Sequence, residues 1–322
     1  MTDDQYIDAV VRIRYKELFL LTKSDIEQLM NCKDEAECIR FLNDKGWGSG
    51  NDDNSHELLV QEKEKTWNFM KEIVEDMSVF DTLLYGNDFH NLKAAIKQVY
   101  KNSDLQEIYL YNATIDPSII YQAVNEQDFD LLPDYMREVA EEAYKAQLHN
   151  NDSQLCDIIL DKAALDTIYH KGKESNNELL AQYSEIKVAV ANINIAIRSL
   201  KTGKSKEFLE QALVECDSLD IQKLSKAALE DIDRIYEYLD TTVYKDAVKA
   251  IQASPSSFER WCDNLIIENI KPQKYNPFTL SPLVAYILAR ENEIKTVRII
   301  LSGKRNDIAD DSIRERLRDM YV

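Results

Sequence analysis

The chain has 322 residues, 44 % of them apolar, with only seven Gly and six Pro where average usage gives roughly 20 and 15. Its 58 acidic and 39 basic residues leave a net charge of −19, which argues against nucleic acid and against anionic lipid headgroups as partners. No run reaches the roughly 18 apolar residues of a membrane span. The acidic start Met1-Thr2-Asp3-Asp4-Gln5 is unlike a signal peptide. Cys32, Cys38, Cys156, Cys216 and Cys262 form neither a disulfide framework nor a CxxC pair, so a reducing cytosol is expected. The acidity serves solubility or meets a partner with basic loops or a basic helix.

Residues 4–22 read as a first helix, and Ser24-Asp25-Ile26-Glu27 has the spacing of a capping box. The segment from Gly46 to Asn54 is a loop holding three glycines, with Trp47 placed to dock it onto a helix. Residues 56–77 predict an amphipathic helix with Leu59, Trp67, Met70, Val74 and Met77 on one face. Asn87 or Asp88 is a candidate cap for the next helix. Its stripe is Phe89, Leu92, Ile96 and Val99, and Asn102 suits a left-handed exit.

Asp116-Pro117 opens a further helix, followed by helices near 134–149 and 154–171. A helix bearing Ile186, Val190, Ile193, Ile197 and Leu200 stops at Gly203. Helices follow near 206–216, 221–239, 242–253 and 256–270, then a loop from Lys271 to Pro277. Pro282 starts a long helix expected to end at Gly303. A polar linker from Arg305 to Asp311 leads to a short last helix that Ser312 can cap. No stretch shows period-two alternation, so the fold class is all-α.

One pattern recurs three times, about 100 residues apart. The copies run Asn91-Leu92 to Lys97, Asn192-Ile193 to Arg198, and Asn292-Glu293 to Val297-Arg298. Each has Asn, a branched aliphatic five residues on, and then a base. Asn102, Gly203 and Gly303 fall at the next matching position. A fixed long period marks one unit used three times, giving expected domains 1–105, 106–205 and 206–322. A helix with a single apolar stripe is unstable alone and needs neighbours. Lys97, Arg198 and Arg298 either line a shared surface or complement the dipoles of their last helical turns.

Motifs for chemistry are weak. Thr202-Gly203-Lys204-Ser205 resembles the end of a P-loop, but Arg198 stands where the earlier Gly is needed and no strand precedes it. His56, His90, His149 and His170 contain no i, i+4 pair. Asp52, Asp53 and Glu57 lack the calcium-loop spacing, and Asp307, Asp310 and Asp311 read as a solvated cluster. Neither a nucleophile elbow nor a distinct carboxylate pair is present. No cofactor or metal is expected.

The repeat carries a resemblance. Asn87-Asp88-Phe89-His90-Asn91-Leu92-Lys93, Asn192-Ile193 with Ala196-Ile197-Arg198, and the run from Glu293 to Leu301 resemble three signature stretches of the C subunit of prokaryotic V/A-type ATPases, the counterpart of the d subunit of the vacuolar ATPase. The segment from Tyr6 to Arg14 is similar to the family's N-terminal helix, and Leu165-Asp166-Thr167-Ile168-Tyr169 to its second-repeat element. Gln5-Tyr6-Ile7 departs from the family by having few small residues, and Ala191 by standing where an acid is common.

The resemblance implies three helical domains around a pseudo-threefold axis, shaped like a funnel. It implies a non-catalytic central-stalk component at the cytoplasmic face of the membrane. The partners would be the proteolipid rotor ring and the D and F subunits of the central shaft, and the transported ion a proton or sodium. The alternatives are a cytosolic helical scaffold for partner helices and an enzyme with a pocket between repeats. The usual solenoid period of 20–50 residues argues against the scaffold. The inter-helix loops holding Trp47 and Asn51, and Lys274 and Tyr275, are candidate interfaces.

Overall fold

A computed structural model describes residues 6–50, 52–102 and 108–322. Every regular element among them is helical. The chain divides into two compact units, Met1–Met77 with Asp246–Val322, and Ser78–Lys245.

The first unit opens with α1 (Ile7–Glu17), α2 (Lys23–Asn31), α3 (Glu35–Asp44) and α4 (Ser55–Ile73). The second contains α5 (Asp81–Lys101), α6 (Pro117–Glu126), α7 (Asp134–Tyr144), α8 (Ser153–Glu174), α9 (Glu178–Lys201), α10 (Lys206–Ala212), α11 (Ile221–Glu230) and α12 (Ile232–Asp240). The chain then returns to the first unit with α13 (Ala247–Ala253), α14 (Pro255–Ile270), α15 (Ser281–Arg305) and α16 (Asp310–Arg314).

Side-chain caps set many of the starts by accepting from otherwise unpaired backbone N–H groups. Asp34, Asn54, Asp116, Asp152, Asn177, Ser205, Asp220 and Ser254 act this way. The capping box near the start of α2 is Thr22 with Asp25, two residues earlier than the Ser24 box expected. The first helix is shorter than 4–22, whose residues 4 and 5 lie outside those described. The fourth ends at Ile73, short of 77. Asp231 splits the expected 221–239 helix, because its carboxylate caps a new start at Ile232.

Asn87 and Asp88 do not cap α5, which begins six residues before Asn87, directly after a 3₁₀ turn. Ser312 lies within α16. Asn102 leaves its helix left-handed at φ 48°, and Gly203 takes φ 62° after α9. Gly303 does not stop α15, which continues to Arg305. Its role is close packing, since a Cβ there would lie 2.4 Å from Ile313 Cδ1.

In the first unit α15 packs against α1, α3, α4 and α14. Eighteen of its 25 residues are buried, so it is a central helix covered nearly all round rather than an amphipathic one. Leu29, Leu42, Leu58, Val297 and Ile300 form the core beside it. In the second unit α8 packs against α5, α7 and α9. Leu92, Ile96, Ile120, Met136 and Leu160 fill that core, each fully buried side chain contributing roughly 1.5–3 kcal/mol. Among the described residues no helix is long and apolar enough to cross a membrane.

Candidate functional site: a repeated asparagine clamp

The three motif helices are α5, α9 and α15. In the second unit Asn91 and Asn192 are fully buried and do the same work. Asn91 Nδ2 donates to Leu110 O at 2.8 Å, and Leu110 N donates back to Asn91 Oδ1 at 2.8 Å. Asn192 Nδ2 donates to Val214 O at 2.7 Å, and Val214 N donates to Asn192 Oδ1 at 3.0 Å. An amide side chain offers one donor edge and one acceptor edge, the complement of an exposed peptide. Each Asn thus acts as one rung of a sheet on a non-regular segment that has no strand beside it.

Asn292 of α15, in the first unit, makes half of this clamp. Its Nδ2 donates to Asp319 O at 2.9 Å. Its Oδ1 is buried without a hydrogen-bond partner.

A carboxylate accompanies each clamp. Asp88, fully buried, accepts from Thr114 N at 2.8 Å, Thr114 Oγ1 at 2.7 Å, Ile115 N at 3.3 Å and Tyr135 Oη at 3.2 Å. Burial raises its pKa, and these four donors only partly offset the shift. Glu185 accepts from Asp217 N at 3.2 Å and Ser218 N at 2.9 Å. Ser218 Oγ also meets Tyr244 Oη at 2.9 Å. Both carboxylates hold the chain just ahead of a helix start, at Asp116 and at Asp220. Glu293 does the same on α15, accepting from Leu21 N immediately before the Thr22 cap of α2.

The sequence pattern did not reveal these carboxylates as a set. Asp88 lies one turn before its Asn, Glu185 two turns before, and Glu293 directly after, so alignment on the Asn misses them. The available signal was the match of Thr114-Ile115-Asp116 to Ser218-Leu219-Asp220.

A buried ionic cluster sits in the first unit. Arg290 donates to both Glu62 and Glu293. Its guanidinium carbon lies 5.0 Å from the Trp47 ring centroid. Glu62 Oε1 also accepts from Gly48 N and Lys65 Nζ, each at 2.7 Å. Burial raises the Glu293 pKa, opposed by Arg290 and the Leu21 N–H.

The other sequence candidates fall in varied places. Leu92, Ile193 and Val297 are core residues. Lys97 Nζ pairs with Asp157 at 2.9 Å, whereas Arg198 and Arg298 are exposed. Trp47 is buried, and Asn51 lies outside the described residues. Lys274 lies 4.7 Å from the Tyr321 ring centroid, and Tyr275 is exposed. Ser205, in the P-loop-like run, caps α10 by accepting from Phe208 N. Among the described residues no group of three His, Cys, Asp or Glu could hold a metal ion.

The profile of the ATP synthase (C/AC39) subunit family matches residues 9–316. The chain is 22 % identical to the C subunit of the V-type sodium ATPase of Enterococcus hirae, over 98 % of this chain and 99 % of that one. It is 23 % identical to the C subunit of the A-type ATP synthase of Desulfurococcus sp. (strain SY), covering 94 % and 88 %. Against the C subunit of the A-type ATP synthase of Methanosarcina acetivorans the identity is 21 %, covering 97 % and 92 %. With the family's profile matched across nearly its whole length, the chain belongs to the ATP synthase (C/AC39) subunit family.

Proposed function

We propose that this chain is the non-catalytic central-stalk component of a V/A-type rotary ATPase. It couples a shaft made of the D and F subunits to the membrane proteolipid ring at the cytoplasmic face. The complex then drives proton or sodium transport with ATP, or makes ATP. The observation that carries the reading is the family match from residue 9 to residue 316.

The clamp geometry supports the mechanical side of this role. A torque-bearing part must resist shear between its helices and the segments joining them. Close packing supplies stiffness against compression, and directional bonds such as those from Asn91 and Asn192 resist sliding. In this reading the chain comprises three repeats, 1–105, 106–205 and 206–322, about a pseudo-threefold axis. The first two clamps each tie a motif helix to the segment that opens the next repeat. The segment with Lys274 and Tyr275, expected as a loop but folded as a 3₁₀ helix from Lys271 to Tyr275, is the proposed contact with ring or shaft. In the 46–54 loop the buried Trp47 anchors the chain and leaves the tip for contact.

The test is recovery of the tagged chain from gently solubilised membranes. Co-purification of a proteolipid ring with shaft or head subunits is expected. Recovery with soluble partners alone, from cells holding an assembled rotary ATPase, would overturn the reading.

A further inference from the structure

Helix α1 turns an apolar stripe to solvent. Val11 and Tyr15, four apart on one face of α1, and Leu18 and Phe19 of the turn that follows it are 58–78 % exposed. Tyr15 and Phe19 stack edge to face with centroids 5.1 Å apart. They form one wall of a cavity of about 360 Å³ in the first unit, with Phe69, Trp47 and Tyr286 among its other aromatic lining.

The charges at this cavity run against the rest of the chain. Lys16, Lys45 and Lys65 line its mouth with a single carboxylate, Glu62, although the whole chain carries −19; Arg290 lies buried beneath, neutralised by Glu62 and Glu293. The pairing is also lopsided in exposure. The Lys45 side chain is 42 % exposed and its partner Asp25 12 %, and Lys65 is 46 % exposed against 5 % for Glu62. The ammonium groups therefore face water while their counter-charges lie underneath. Lys16 Nζ and the Arg12 guanidinium lie over the Phe69 ring, at 5.0 and 5.5 Å from its centroid.

We infer that this groove takes an acidic amphipathic helix from a protein partner. An apolar side chain of that helix enters the cavity beside Phe19, and its carboxylates meet Lys16, Lys45 and Lys65. From Val11 the stripe runs about 9 Å along α1 to its end at Glu17 and continues onto Leu18 and Phe19, which suits two turns of a second helix rather than a small molecule. Aromatic side chains are enriched at interface hot spots, and a cationic rim steers and selects an acidic partner. The inference rests on the central-stalk reading only for the complex in which the partner is first sought.

The experiment places p-benzoyl-phenylalanine at Phe19 in the tagged full-length chain and irradiates the cells. The same group at Val243, an exposed position of the second unit, sets the background. The expected result is one adduct above background, mapped to a partner segment rich in Asp and Glu with apolar residues three and four apart. Lys16→Glu should lower its yield about tenfold, while the melting temperature falls by only a few degrees, for the lost contact with the Phe69 ring. Adduct yield no higher than at Val243 overturns the proposal. So does an adduct to phospholipid, to a second copy of this chain, or to a basic segment. Recovery of ring and shaft in the same preparation is scored separately, so a failed central-stalk reading and a failed groove give different results.

Discussion

Asn192 and Val214 exchange two hydrogen bonds, of 2.7 and 3.0 Å, between an amide side chain in the middle of α9 and a peptide 22 residues on. Both residues are buried, so water cannot replace either bond. The same exchange at Asn91 and its half at Asn292 give a graded series within one chain.

Asn192→Ala should cost about 2–4 kcal/mol, because it leaves a buried N–H and a buried C=O unpaired. Asn292→Ala should cost only about 1 kcal/mol, since one bond is lost and an unpartnered oxygen is removed with it. Urea unfolding checks both. Trp47, Trp67 and Trp261 all lie in the first unit, so tryptophan fluorescence reports Asn292→Ala and far-UV circular dichroism is needed for Asn192→Ala. Equal costs would contradict the half-made third clamp.

Arg290→Met should destabilise the first unit by about 3–5 kcal/mol, because Glu62 and Glu293 are then buried without their shared cation. Adding Glu62→Gln and Glu293→Gln should restore most of the loss. The glutamine oxygens still accept from Gly48 N and Leu21 N, while the uncompensated charge is gone. A triple variant no more stable than the single one would show that charge is not the cause.

Asp25 gives the pH dependence. Burial pushes its carboxyl up, but hydrogen bonds from Lys45 and Thr22 outweigh this and hold it below its ordinary value. A depressed folded pKa contributes stability above the unfolded value near about 3.9, and that contribution is lost as pH falls through the folded value. Asp25→Asn should therefore cost about 1 kcal/mol at neutral pH, and the gap to wild type should close below about pH 4. A gap that persists at low pH would point to packing instead.

Gly303→Ala should destabilise by about 1–3 kcal/mol through overpacking against Ile313. Ile313→Ala in the same chain should absorb part of that cost, a non-additivity expected only of touching residues. Gly203→Ala meets no atom within 4 Å. It should cost about 1 kcal/mol, for a left-handed backbone alone, with no rescue from any neighbour. Thermal melts of Gly303→Ala, Ile313→Ala, their double variant and Gly203→Ala distinguish the two cases.

The helices and the asparagine repeat were legible in the sequence because both rest on local regularities. Asp116-Pro117 marks a helix start with a carboxylate and a fixed φ, and Leu92 to Val99 shows its buried face by spacing. The partners of Asn91 and Asn192 were not legible. They lie on irregular segments 19 and 22 residues away, where no periodicity exists to read. Gly303 misled for a related reason. A glycine that ends a helix and one that admits a neighbour's methyl look the same until the neighbour, here Ile313, is known. Arg290 and Glu62 are separated by 228 positions, and nothing local links them.

The first unit is discontinuous in the chain, with Ser78–Lys245 lying between its two parts. On the ribosome, α1 to α4 emerge first with their central helix missing, and the second unit, made next, can close both of its clamps before α15 appears. Chains are made N-terminal end first at about 5–20 residues per second. The core around Leu29 and Leu58 therefore stays open for roughly 10–40 seconds, the time to make the roughly 208 residues from the end of α4 to the start of α15. The exposed apolar faces of α1 to α4 during that interval are where a chaperone would be needed, and truncations within residues 246–322 would leave the second unit folded beside an unfinished first.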